Sequence, residues 1–101
     1  MKTISLSLAP KVPFDIEGYI MHSSNSLEVI HLCLQPGQKI TPHANPFNVV
    51  VCLVEGEVTL HIGEMESKLI LWDVAEIEKG LMRGFSNLGS SVARLLILKK
   101  L

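Results

Sequence analysis

The strongest constraint on the fold is an alternation of apolar and polar residues with a period of two. Over residues 57–63, Val58, Leu60 and Ile62 alternate with polar side chains, which is the pattern of a strand that buries one face. No stretch of ten or more residues keeps the apolar spacing of an amphipathic helix. The chain is therefore predicted to be all-β, with helix as a minor component.

Two further segments are apolar at almost every position. Residues 49–54 form an unbroken apolar run rich in β-branched side chains, and within residues 92–98 only Arg94 interrupts. Such runs are typical of strands that are covered on both faces. Because the outside of an isolated small barrel faces water, they favour a homodimer in which a second copy covers one face. Coverage by the chain's own terminal segments is the alternative.

Turn signals separate these segments at short intervals, which implies a sandwich or a barrel of short strands. A length of 101 residues without a linker predicts one domain over residues 1–101. The turn signals include Pro36-Gly37, Glu55-Gly56, Gly63-Glu64, Lys79-Gly80 and residues 87–89.

The charge balance excludes several classes of partner. Nine Lys and Arg against ten Asp and Glu give a net charge of −1, and the cations do not cluster, so no nucleic-acid partner is expected. The longest apolar run is far shorter than the roughly 18 residues that span a bilayer, and no secretory signal pattern is seen. We expect no membrane partner, a cytoplasmic location, and free thiols at Cys33 and Cys52.

Two segments, residues 37–56 and 72–87, resemble the two sequence motifs of the cupin superfamily, in the expected order and at the expected separation. In the first segment, Gly37, His43 and Gly56 fall in register with the motif. The resemblance implies a double-stranded β-helix, that is, a jelly-roll barrel of the RmlC-like kind. In the second segment the residues in register are Asp73, Ile77, Gly80 and Asn87.

The resemblance also implies a metal site, but the sequence departs from it. Cupins commonly hold a metal with two His and one Glu from the first motif and one His from the second. At these four positions the sequence has a single histidine, and an arginine replaces the last one. One imidazole does not hold a first-row ion tightly, and a guanidinium stays protonated and repels a cation. We therefore predict no metal and no other cofactor. The residues at the four ligand positions are His43, Asn45, Val49 and Arg83.

The same four positions predict a pocket for a small, anionic molecule. Arg83 would make the charge-assisted hydrogen bond, and His43 and Asn45 would add further hydrogen bonds. Val49 would contribute to an apolar wall. The residues predict this binding role but name no catalytic group and leave open whether the protein is an enzyme.

Two alternatives remain at this point. The first is a metal-dependent enzyme, a dioxygenase or an isomerase, that recruits ligands from His31, His61 or a cysteine. His31 shares a strand face with Cys33 and is placed toward a core, whereas His61 lies on the polar side of its strand and should face solvent. The second alternative is an inert structural or interaction module, in which His43 is buried and Arg83 turns outward.

Overall fold

The computed structural model describes residues 1–101 and consists almost entirely of β-strands, which confirms the all-β prediction. No helix in the chain has the length and apolar character needed to cross a membrane. The elements are a 3₁₀ helix (Leu6–Leu8) and the strands β1 (Glu17–Ser23), β2 (Leu27–Leu34), β3 (Lys39–His43), β4 (Asn48–Glu55), β5 (Val58–Ile62), β6 (Met65–Leu69), β7 (Val74–Ile77), β8 (Arg83–Ser86) and β9 (Ala93–Lys100).

The strands form two antiparallel sheets. The order in the five-stranded sheet is β1-β2-β9-β4-β7, and the order in the four-stranded sheet is β3-β8-β5-β6. The alternating segment forms β5, and the two continuous apolar runs form β4 and β9. Strand β9 pairs with β2 on one side and with β4 on the other, so the last strand occupies the middle of the larger sheet.

One hydrophobic core of 15 buried residues joins the inner faces of both sheets. In β4, Val49, Val51 and Leu53 face this core, while the residues between them are half-buried on the outer face of the sheet. Strand β9 shows the same division, with Leu95 and Ile97 inside. The continuous apolar runs therefore supply the core on one side and an apolar outer surface on the other.

Backbone hydrogen bonds hold part of each terminal segment beside the larger sheet. The N–H of Val12 donates to the carbonyl of Gly18 (2.9 Å), and the N–H of Ile20 donates to that of Pro10 (2.7 Å), which holds residues 10–12 along β1. At the other end, the N–H of Leu101 donates to the carbonyl of Ser26 (3.0 Å). Val74 on the outer face stays 60% exposed. The termini therefore leave the outer face around Val74 uncovered, and coverage of the rest by the termini stays the alternative to a second copy.

A glycine sets the spacing between β3 and β8. A Cβ at Gly84 would lie 2.6 Å from the backbone oxygen of Ile40 and 3.1 Å from the ring of Pro42, so a larger residue forces the strands apart. The pairing of these strands is irregular between Ile40 and His43, and beyond the irregularity His43 is the cross-strand partner of Arg83. An irregularity of this kind re-aims the side chains that follow it.

Candidate functional site

A cavity of about 620 Å³ lies between the two sheets at one end of the barrel, a size typical of small-molecule sites. Strands β2 and β9 line it on one side, β3 and β8 on the other, and residues 12–16 at its mouth. Its apolar walls include Ile30, Leu32, Ile40, Phe85 and Ile97, and its polar lining includes His43, Asn45 and Arg83. Three of the four predicted site residues are thus brought together.

Arg83 is the buried charge of this cavity. It begins β8 and is only 4% exposed. Its Nε is buried and has no hydrogen-bond partner, and no acidic side chain forms an ion pair with it. Burial lowers the pKa of Arg83, because the charged form loses hydration and no carboxylate compensates for that loss. The group still remains protonated, so the cavity carries a positive charge that the chain does not neutralise.

Asn45 provides the hydrogen-bond acceptor for this guanidinium. With its amide oxygen turned toward Arg83, Asn45 accepts hydrogen bonds from Nη1 (3.2 Å) and from Nη2. Its own backbone carbonyl accepts from the N–H of Gly80 (2.8 Å), in the loop that follows β7. Asn45 is therefore held from the backbone side, and its neutral amide orients the guanidinium without cancelling its charge.

His43 lies at the exposed end of β3, where it also lines the cavity. Its Nδ1 is 3.3 Å from the carbonyl oxygen of Thr41. Because a carbonyl only accepts, this contact requires a proton on Nδ1 and leaves Nε2 free. The free nitrogen accepts a hydrogen bond when the ring is neutral and donates one when the ring is protonated. The inert-module alternative placed His43 inside and Arg83 outside, and the structure shows the reverse.

Solved structures match the chain over nearly its whole length, although neither a protein-family model nor a curated protein matches it. A predicted oxalate decarboxylase from Thermotoga maritima has a TM-score of 0.89 at 16% identity, covering 99% of each chain. A protein from Thermus thermophilus has a TM-score of 0.83 at 27% identity, covering 99% of this chain and 97% of that one. An RmlC-like cupin with a double-stranded β-helix fold, from Methanocaldococcus jannaschii, has a TM-score of 0.78 at 15% identity, covering 96% of this chain and 85% of that one.

The chain has the cupin fold. The prediction of a double-stranded β-helix, made from two motif-like segments and from the period-two pattern, is confirmed. Because the identities are low, the likeness concerns the arrangement of the strands and not the chemistry of the cavity.

The residues of this cavity do not fit the metal that the fold family implies. No group of three or more His, Cys, Asp or Glu side chains comes close enough together to hold an ion. The cavity offers one imidazole, one amide and a guanidinium at the ligand positions, and a fixed cation beside the site disfavours a dication.

The other histidines of the chain lie away from the cavity. His31 is half-buried on the outer face of β2, where its Nε2 is 3.4 Å from Nη1 of Arg94 and its ring meets the edge of Tyr19. The prediction that His31 points into a core is therefore wrong, because the residues on either side of it take the inward positions. His61 faces outward as predicted, and its Nε2 bonds the hydroxyl of Ser86 (2.9 Å).

Val49 does not line the cavity, in contrast to its predicted place in the pocket wall. Its side chain is 2% exposed and belongs to the core. Strand β4 lies beyond β9 in the larger sheet, so the wall comes instead from β2 and β9. Sequence reasoning did not identify these wall residues. The prediction for β2 placed His31 and Cys33 toward a core instead of Ile30 and Leu32, and no local signal showed that β2 would lie beside β9.

Proposed function

We propose that this cupin binds a small anionic molecule in its barrel cavity without a tightly held metal. The observation that carries the proposal is Arg83, a 4% exposed guanidinium that lines an apolar-walled cavity and has no acidic partner. A buried charge without a counter-charge is costly. An anion in the cavity would compensate for it through charge-assisted hydrogen bonds.

His43, at the end of the neighbouring strand β3, and Asn45, in the loop that follows it, support this role. Each terminal nitrogen of a guanidinium carries two hydrogens, so Asn45 leaves donors on Arg83 for a ligand. With its oxygen facing Arg83, the amide nitrogen of Asn45 points elsewhere as a further donor. The free Nε2 of His43 adds a third polar contact at the mouth. A planar acceptor such as a carboxylate suits this set of donors.

The test is a melting-temperature screen with common anions at matched buffer and ionic strength. A ligand that binds only the folded state raises the melting temperature, so we expect at least one anion to stabilise the native sequence and to have no effect on Arg83→Ala. Arg94→Ala is the matched control, because it removes the same side chain from the outer face. If no anion stabilises the native protein, or if Arg83→Ala responds equally, the proposal is wrong.

Metal content decides between this proposal and the metal-dependent enzyme. Protein purified without chelators and incubated with iron, manganese, nickel and zinc should hold no metal above background. About one equivalent of a single metal, lost in His43→Ala, would show that ligands outside the usual positions complete a site. That result would overturn the proposed metal-free pocket.

We also propose that a second copy of this cupin covers the outer face of the five-stranded sheet. Half-buried leucines of β9, Leu96 and Leu98, lie on this face. Beside β4, Trp72 is 67% exposed and holds a positive φ of 73°, a conformation that is strained for a bulky residue. Acidic and basic side chains, Glu76 and Lys100 among them, occur together here, as a self-complementary twofold contact requires.

Light scattering at micromolar concentration tests the homodimer. Leu96→Glu should give a folded monomer, because it introduces a charge into the apolar contact. Leu88→Glu is the control, since Leu88 is 74% exposed in the turn before β9. Trp72→Gly should also weaken the dimer while it relieves the strain, which separates loss of contact from loss of folding. A monomeric native protein, or a dimer that survives both Leu96→Glu and Trp72→Gly, would contradict the proposal.

A further inference from the structure

We infer that the ligand is an amphipathic monoanion, with one carboxylate on a hydrocarbon body. The inference rests on the proposed anion pocket and narrows it to one class of molecule. Three features of the cavity carry it: the number of free charges, the chemistry of the walls, and the separation of polar from apolar lining.

The cavity matches a single negative charge. Of its other charged residues, Asp15 and Lys39 are exposed, and Lys99 is 3.5 Å from the carboxylate of Glu28. Arg83 alone is buried and without a counter-charge. A second negative charge on the ligand would therefore lose hydration with no partner in the interior. This disfavours dicarboxylates and phosphate dianions.

The walls suit hydrocarbon and not a polyhydroxylated body. Residues of β2, β3, β8 and β9 present aliphatic side chains and the ring of Phe85 to the cavity. Sugar hydroxyls against such walls would lose their hydrogen bonds to water and gain none. At the mouth, Phe14 lines the cavity and yet is 71% exposed. An apolar ligand body that reached the mouth would cover this ring.

Most of the polar groups lie on one side of the cavity, where Ile40 and Phe85 are also found. His43, Asn45 and Arg83 lie on or beside β3 and β8, whereas the strands β2 and β9 and residues 12–16 contribute mainly apolar side chains. A ligand that satisfies both sides has a polar head and an apolar tail. The head accepts from guanidinium and amide N–H groups, and a carboxylate has the planar geometry for this.

Isothermal titration with four matched probes tests the class. We expect octanoate to bind, octanamide to bind at least about tenfold more weakly for lack of the charge-assisted hydrogen bond, and suberate to bind at least about tenfold more weakly because its second carboxylate is buried unpaired. Acetate, which lacks the body, should be at least about a hundredfold weaker. Arg83→Gln should abolish the preference for octanoate over octanamide, while Arg94→Gln should keep it.

The outcomes separate this inference from the proposed function. Tighter binding of suberate than of octanoate would overturn the monoanion class and leave the anion pocket standing. Equal binding of octanoate and octanamide to the native protein would overturn both, because the charge would then play no part. Failure of every anion to bind would also overturn both.

Discussion

The side-chain amide of Asn45 faces the guanidinium of Arg83, and its oxygen accepts hydrogen bonds from both terminal nitrogens. The contact supplies an acceptor but no negative charge. Arg83 is thereby held in one orientation while its Nε stays without a partner and its charge without compensation. An arginine fixed and uncompensated in this way is the basis of the proposed anion pocket.

Replacing Arg83 by methionine should make the empty protein more stable. Arg83→Met removes a desolvated charge and an unpaired buried Nε and keeps an unbranched apolar side chain in the space. The free energy of unfolding should rise by about 1 kcal/mol, measured by urea denaturation without added anions. The free energy of unfolding of Arg94→Met, a variant on the outer face, should not rise. A clear loss of stability in Arg83→Met would show that Arg83 is structural.

The contribution of Asn45 should depend on Arg83. Asn45→Ala leaves the terminal nitrogens of the guanidinium without their acceptor and should cost about 1–2 kcal/mol of unfolding free energy. In the Arg83→Met background the same change should cost close to nothing. A double-mutant cycle measures this coupling. Equal losses of unfolding free energy in the two backgrounds would mean that Asn45 contributes to stability independently of Arg83.

Gly84→Ala should damage the fold and the site together. The added methyl group would meet the backbone of β3, so the strand must shift or the pairing must weaken, at a cost of about 1–3 kcal/mol. His43 and Arg83 would move apart, and anion binding should fall with stability. Gly89→Ala is the control, because its methyl group would meet side-chain atoms of Glu57 (3.3 Å) and Asn87 (3.4 Å) and no backbone atom. Similar losses of stability and anion binding in Gly84→Ala and Gly89→Ala would contradict the role of Gly84 in spacing the two strands.

Acidification should destabilise the protein in part through His31. The pKa of His31 lies below its ordinary value, first because the ring is partly buried and then because Arg94 is close, although Glu17 and Glu55 oppose the shift. The unfolded chain therefore binds a proton at a pH where the folded chain does not. Stability from this source is present above the ordinary imidazole pKa of 6.5 and is lost as pH falls through the lower folded value.

The melting temperature between about pH 7 and pH 5 checks this effect. Its fall on acidification should be smaller in His31→Gln than in the native protein. The exposed His22 provides the control, and His22→Gln should follow the native curve. Identical curves for all three proteins would show that His31 titrates alike in the folded and unfolded states.

The sequence was enough to predict the fold, and part of the site, because those features repeat locally. Alternating residues marked β5, apolar runs marked β4 and β9, and two motif-like segments placed His43 and Arg83 together. The apolar walls were not predictable in the same way. They depend on the pairing of β2 with β9, strands that are far apart in the chain, and on residues 12–16, which carry no strand or helix signal.

The direction in which a side chain points was the second feature that could not be predicted from the sequence. Val49 sits at a ligand position of the family motif but packs in the core, because β4 is one strand removed from the cavity. The exposure of Arg83 also depends on tertiary packing. Nothing in the neighbouring residues distinguishes a solvated arginine from one that is buried beside an amide.

The cavity draws its lining from segments far apart in the chain, from residues 12–16 to Lys99. During synthesis, the wall that contains Ile97 is missing until β9 has emerged, although the polar residues of β3 and β8 are already present. A ligand that needs both sides can stabilise only the finished barrel. If the proposed pocket binds such a ligand, its availability would determine how many newly made chains escape proteolysis, and the protein's abundance would follow the ligand's concentration.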